Sequence, residues 1–278
     1  MRKKINIKKI IIVCLVFALL VFMTIILLRK PSHDRSWEEG QEQLPKIDVV
    51  DNTISITNFR DFIWKEDGSV DKNYITQEYK LSDIQNVDVV ISHFSDFEGL
   101  AHIFLSFGFL DGRHIVISME TRRELGEEFS PFWGLFRTFE IIYVVGSERD
   151  IVGLRTNVRG ERVYIYPTIA DDEKAKELFL KIAEDINGIY AQPKFYNTLF
   201  SNCTNVLTRR VEDISDLDFP LTYKSLLPGY FDDVLYEMKL ISTDMEFKEV
   251  KECHHVNNQD VDYEDVDFEK QVRQFCDL

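Results

Sequence analysis

Ala101-His102-Ile103-Phe104-Leu105-Ser106-Phe107-Gly108-Phe109, then Asp111-Gly112, then His114-Ile115-Val116-Ile117-Ser118-Met119-Glu120, is the stretch on which the fold turns. Apolar arms rich in β-branched and aromatic residues flank an Asp-Gly pair, a strong hairpin signal. Strand signals continue on both sides. Residues 47–58 read as two short strands about Asp51-Asn52. Residues 59–64 and 74–79 flank a Glu66-Asp67-Gly68 turn, and residues 87–91 form a continuous apolar run. Residues 138–145, 151–156 and 162–166 extend the series. Helix takes over at Asp171 or Asp172, either of which caps a run with Ala175, Leu178, Phe179, Ile182, Ala183 and Ile186 on one face, ending at Gly188. Pro228-Gly229 precedes another helix over 231–241. Strands first and helices later define an α+β class.

Between those helices lies Tyr196-Asn197-Thr198-Leu199-Phe200-Ser201-Asn202-Cys203-Thr204-Asn205-Val206-Leu207. Turn-forming residues followed by a short apolar period mark a helix start, with Ser201 or Asn202 as N-cap and Cys203 in the first turn. Unpaired N–H groups and the helix dipole favour thiolate there, and thiolate is the nucleophile. The same position equally suits a small buried core residue. Asn202-Cys203-Thr204 also fits the N-glycosylation pattern, but a glycan would cover the helix start.

The N-terminus is set apart by charge. Residues 1–9 form a basic stub, and residues 10–28 carry no charge. At ~1.5 Å per residue the latter run matches the ~30 Å hydrocarbon layer. Arg29-Lys30-Pro31 follows in place of a cleavage site, so the expectation is an uncleaved signal-anchor. The basic excess before the span places the N-terminus in the cytoplasm and the rest outside, as a single-pass cell-membrane protein. Residues 29–46 read as a polar linker, 47–245 as the domain, and 246–278 as an acidic tail with a short helix over 268–275.

Of 278 residues, 45% are hydrophobic, enough for a sizeable core. The net charge of −15 includes seven Lys or Arg and no acid in residues 1–30, so the remainder is more acidic still. That argues against nucleic acid as a partner and against flat adsorption on anionic lipid. The four cysteines make no framework. An extracytoplasmic Cys253 and Cys276 could pair, leaving Cys203 as the odd thiol. No CxxC, HExxH or acidic calcium loop is present, so neither metal nor cofactor is expected.

A cysteine nucleophile needs a base and a group that orients the base. His33 lies in the linker, His254-His255 in the tail, and His114 beside the hairpin turn; His93 reads as a loop residue. His102 opens an otherwise apolar strand, as either a satisfied core histidine or a placed functional group. Glu120 as its orienting carboxylate depends on register. A two-residue loop pairs 102 with 121 and turns Glu120 away; a three-residue loop with a bulge pairs 104 with 120 and puts Glu120 on the face of His102.

The hairpin, together with Ser118-Met119-Glu120-Thr121-Arg122-Arg123-Glu124, resembles the N-terminal extracytoplasmic domain of the Lnb-type lipoprotein N-acyltransferases. So do Asn58-Phe59-Arg60-Asp61-Phe62, Glu140 with Tyr143, Glu148-Arg149-Asp150, Leu154-Arg155-Thr156, Phe195-Tyr196-Asn197 before Asn202-Cys203-Thr204, and Pro228-Gly229-Tyr230. The likeness covers roughly residues 45–240. It implies a permuted papain-like or NlpC-type fold with an antiparallel sheet, Cys203 as nucleophile and His102 as base. It further implies an acyl-thioester course with Asn202 and the helix-start N–H groups at the oxyanion, and bacterial lipoproteins or other acylated membrane substrates as partners. Arg122 and Arg155 become candidates for substrate contact, with Tyr196, or for internal pairing with Glu140 and Asp150. The best-known members carry further membrane spans, so a cell-wall amidase or peptidase, or an idle binding domain, remains an alternative expectation.

Overall fold

The computed structural model describes residues 7–65, 69–256 and 268–274. Helix α1 (Ile7–Leu28) is apolar all round beyond Lys8 and Lys9, and only Ile26 is buried. It is long and apolar enough to cross a membrane. The domain is built on one mixed sheet. Its strands are β1 (Lys46–Val50), β2 (Thr53–Arg60), β5 (Tyr74–Lys80), β6 (Ile84–His93), β7 (His102–Phe109), β8 (His114–Arg122), β9 (Glu140–Gly146) and β10 (Arg162–Pro167). They run in the order β1-β2-β9-β8-β7-β6-β10, with β5 also on β2. The expected all-antiparallel sheet is corrected at one join, where β2 meets β9 in parallel through Arg60 and Gly146. A Cβ on Gly146 would lie 2.2 Å from the Arg60 carbonyl oxygen, so only glycine permits that approach. A small hairpin, β3 (Ile63–Trp64) with β4 (Val70–Asp71), stands apart. Its expected Glu66-Asp67-Gly68 turn lies outside the described residues.

Alternation along the strands divides the core in two. Ile103, Leu105 and Phe107 of β7, with Val87, Val89 and Ile91 of β6, face α3 (Asp172–Ala191) and α4 (Cys203–Asp213). Val90, Phe104 and Val116 face α2 (Glu148–Gly153) and α8 (Phe268–Gln271). Asp171 caps α3 by accepting from the Lys174 N–H, as its sequence position suggests. The expected strand over 151–156 is instead α2 and a following π-turn, Leu154–Val158. Ser147 Oγ accepts the Asp150 N–H and starts a helix through residues whose β-branched run reads as strand. The helix expected over 231–241 closes early, as α6 (Phe231–Glu237), after the short α5 (Tyr223–Leu226).

Both flanks of the domain are tied down. In the stretch read as a linker, Trp37 is buried under the Arg122 guanidinium and Gln41 bonds Thr121 and Arg123. The C-terminal stretch holds α7 (Phe247–Cys253), and Val256 donates to Val163 alongside β10. Phe268 and Val272 complete the second core. Cys253 is disulfide-bonded; Cys276, its expected partner, lies outside the described residues.

Candidate functional site: a fork between two strands

The hairpin register settles the Glu120 question. Leu105 pairs with Ile117 and Gly108 with His114, across a turn in which Phe109 N–H bonds the Arg113 carbonyl. This is two residues from the register expected of a three-residue loop, but of the same parity, so His102, Ser118 and Glu120 share one face. Paired residues end at Leu105, and the strands part beyond it. His102 Nε2 and Ser118 Oγ bridge the gap at 2.7 Å. Ser118 Oγ lies 2.9 Å from Glu120 Oε1, and Arg155 Nη2 donates to that same oxygen at 2.7 Å.

Hydrogen-bond polarity fixes the tautomer. An ionised Glu120 only accepts, so Ser118 spends its single proton on it, and His102 must donate Nε2–H to Ser118. The lone pair is then on Nδ1. Burial together with the nearby Arg155 lowers the His102 pKa to about 3, so the ring is neutral. Burial works against the Glu120 charge, but Arg155 and His102 outweigh it and hold the carboxyl well below its usual range.

The sulfur reaches the same fork from the other face. Asn202 is the N-cap of α4, and its capping box with Asn205 fixes Cys203 as the first helical residue. Because Phe109 N–H points at β8, the N–H groups of alternate β7 residues do too, Ile103 included. Ile103 lies past the last β8 pair, and its N–H favours the Cys203 thiolate, as do the backbones of Thr204 and Cys203 and the Thr204 hydroxyl. Thr204 Oγ1 is itself buried and makes no bond of full hydrogen-bond geometry. Burial outweighs all of these and raises the thiol above its ordinary value. Of the two readings left open for Cys203, the thiol's environment follows the buried one: the dipole is present, but desolvation outweighs it.

The structure thus brings sulfur and imidazole to consecutive residues of β7, and no hydrogen bond joins them. The His102 ring stacks on Phe104, 5.5 Å away, on the face away from α4.

The remaining candidates separate by role. Asn202 Oδ1 accepts from Asn205 and Nδ2 donates to Thr198, so its side chain is committed to the cap and is not a free oxyanion donor. Tyr196 is buried, its ring beside Gly134 and edge-on to Phe129. Arg122 donates to the Gln41 and Glu42 carbonyls and clasps the stretch before β1; it does not reach the fork. Glu140 accepts the Ser32 N–H and lies 3.3 Å from Arg35. Asp150 takes a two-pronged contact from Arg60 at 2.7 and 2.8 Å, with Phe62 N–H and Trp64 Nε1 as further donors. Of the pairings expected for Arg122 and Arg155 with Glu140 and Asp150, Arg122 lies opposite Glu140 across β8 and β9 and the two charges favour one another, whereas Asp150 is held by Arg60 and Arg155 serves Glu120 instead.

Sequence reading missed Ser118 as the bridge, because nothing marks a strand serine as spanning a gap. It also placed His93 in a loop. His93 ends β6, buried on the sulfur's side of the sheet, with neither ring nitrogen hydrogen-bonded. Its ring meets Tyr164 edge-on at 5.6 Å, and burial lowers its pKa. A cavity of about 310 Å³ opens one turn along α4, lined by Ser201, Val206, Arg209 and Met119, beside the sulfur rather than over it. Among the described residues no group of three His, Cys, Asp or Glu is placed to hold a metal.

An apolar N-terminal helix joined to an α+β domain with a cysteine at a helix start describes a class of membrane-associated protein. Residues 71–229, more than half of the chain, match the Lnb N-terminal periplasmic domain, and the chain belongs to that family. The helix and the periplasmic domain fit a single-pass membrane protein with its domain outside the cytoplasm. No curated protein matches the chain, and no solved structure does.

Proposed function

We propose that the chain is a membrane-anchored thiol acyltransferase, with Cys203 as nucleophile and His102 as base in a permuted papain-like arrangement. The supporting observation is the fork: the sulfur lies by the N–H of Ile103, and the residue before it carries an imidazole oriented through Nε2 by Ser118, Glu120 and Arg155. That leaves Nδ1 to take the thiol proton. In the first half-reaction the thiol proton passes to Nδ1, sulfur bonds to the carbonyl carbon of an ester on a lipid-linked substrate, and the bond from that carbon to the glycerol oxygen breaks. The glycerol oxygen leaves with the proton from the imidazolium. In the second, an amine displaces sulfur from the thioester, and its proton returns to the thiol through His102. The main-chain N–H groups of Ile103, Cys203 and Thr204 are the donors for the carbonyl oxygen. Because no hydrogen bond joins imidazole and sulfur at rest, proton transfer on this reading requires the His102 ring to leave Phe104 and Ser118 and turn toward the sulfur when substrate binds.

The natural acceptor on this reading is the N-terminal amine of a diacylated lipoprotein. Cys203→Ala in the full chain, with lipoprotein N-acylation followed by mass spectrometry, is expected to bring transfer down to background; unchanged product refutes the role. A catalytically idle binding domain is the second reading, favoured by the buried, protonated thiol. It predicts no labelling of Cys203 by acyl-donating thiol probes at any pH where the fold persists.

A further inference from the structure

The outer end of α1 is docked on the domain. The Phe22 ring meets Phe136 edge-on at 5.6 Å, Arg137 Nη1 donates to the Leu27 carbonyl, and Arg29 Nη1 donates to the Arg137 carbonyl. Phe22 lies six residues before the end of the helix, at about 9 Å below it for ~1.5 Å per residue. Whatever layer surrounds Phe22 therefore surrounds Phe136 as well.

Around Phe136 the surface is apolar. Phe132 is 60% exposed and Trp133 48%, and both rings pack on Phe136. The adjoining loop presents Leu199 and Phe200, exposed by 53% and 72%. These side chains are not loose ends of a mobile loop. Thr198 Oγ1 bonds the Pro131 carbonyl, Thr198 N–H the Gly134 carbonyl, and Asn197 Oδ1 accepts the N–H groups of Leu199 and Phe200. A Cβ on Gly134 would strike Thr198 Oγ1, so the two segments are in close contact. A rigid scaffold holding large apolar side chains in water is costly unless something covers them.

We propose that Phe132, Trp133, Phe136, Leu199 and Phe200 form a platform immersed in the bilayer leaflet on the domain side, presenting the start of α4 to lipid acyl chains. Continuity with α1 names the occupant: among the described residues, the helix contacting Phe136 is the one long and apolar enough to span a membrane. Arg29, Lys30 and Arg137 lie at the level where phosphate headgroups begin, and aromatic rings favour that boundary. The body of the domain is acidic, so immersion is local and driven by apolar burial rather than charge.

The proposal rests on α1 crossing a bilayer and not on the chemistry at Cys203. Full chain in phosphatidylcholine vesicles carrying lipids brominated near the top of the acyl chain is expected to lose most Trp133 emission. The quenched part is expected to disappear in Trp133→Tyr, and to persist when anionic phosphatidylglycerol replaces half the lipid. Emission from Trp133 that ignores the brominated lipid overturns the proposal. Without any substitution, a diazirine reagent dissolved in the bilayer is expected to mark peptides 131–136 and 198–201 as well as α1; adducts confined to α1 overturn it. Cys203→Ala, which removes the proposed transfer, leaves both readouts unchanged.

Discussion

The two faces of the sheet differ in what they bury. The face toward α3 and α4 is oil: Ile103, Leu105, Phe107, Phe179, Ile182 and their neighbours, with the thiol at its edge. The opposite face mixes apolar residues with charge. Arg60 grips Asp150, Arg155 grips Glu120, and Arg273 spans Asp88 and Glu148. The fork between β7 and β8 is where the faces communicate, with sulfur below and imidazole above. The difference teaches why neither group has its ordinary protonation behaviour. On the apolar side desolvation raises the thiol above its ordinary value. On the charged side burial and Arg155 act together to keep the imidazole neutral.

Removing a charge from the ionic face is expected to cost most. Asp150→Ala strands the buried Arg60 guanidinium, and a loss of about 3–5 kcal/mol in urea unfolding is expected. A loss below about 1 kcal/mol would mean water already reaches that pair.

Acid is expected to act next. His102 has a depressed pKa, so its contribution is complete above the unfolded value of about 6.5 and disappears as pH falls toward about 3. Glu120, also depressed, adds its loss below the usual carboxylate range, in the same direction. His33, His93, His254 and His255 are lowered by burial too and share the slope. Chemical unfolding at pH 7, 6 and 5 is expected to show a shallower decline for His102→Gln than for wild type. Equal slopes would remove His102 from the account.

On the apolar face the matching measurement is thiol alkylation. Iodoacetamide is expected to modify Cys203 slowly at pH 7, with the rate rising only above the range of an ordinary cysteine. A rate plateau below pH 7 would show a thiolate and reverse the assignment. The smallest effect belongs to the cap. Asn202→Ala is expected to cost about 1 kcal/mol through the lost Asn205 bond, without changing the alkylation profile as Cys203→Ala would.

Much of this was legible in the chain. The hairpin about Asp111-Gly112, the Asp171 cap, the helix start at Asn202 and the apolar span all follow from local periodicity and turn chemistry, which the neighbouring residues encode. The segment 151–156 was not, since its β-branched residues read as strand until Ser147 caps a helix. Side-chain pairings were the least legible. Arg122 serves the stretch before β1, whereas Arg155 serves Glu120, a choice made by which elements come to lie together.

The sequence by itself determined the α+β class, the apolar N-terminal helix, the family and the identities of Cys203 and His102 as the pair to examine, because each is written in short-range pattern or motif. Only the tertiary structure decided the parity of Glu120, the bridge through Ser118 and the resting protonation of the thiol. Those depend on register and on burial, quantities set by residues far apart in the chain that no local window contains.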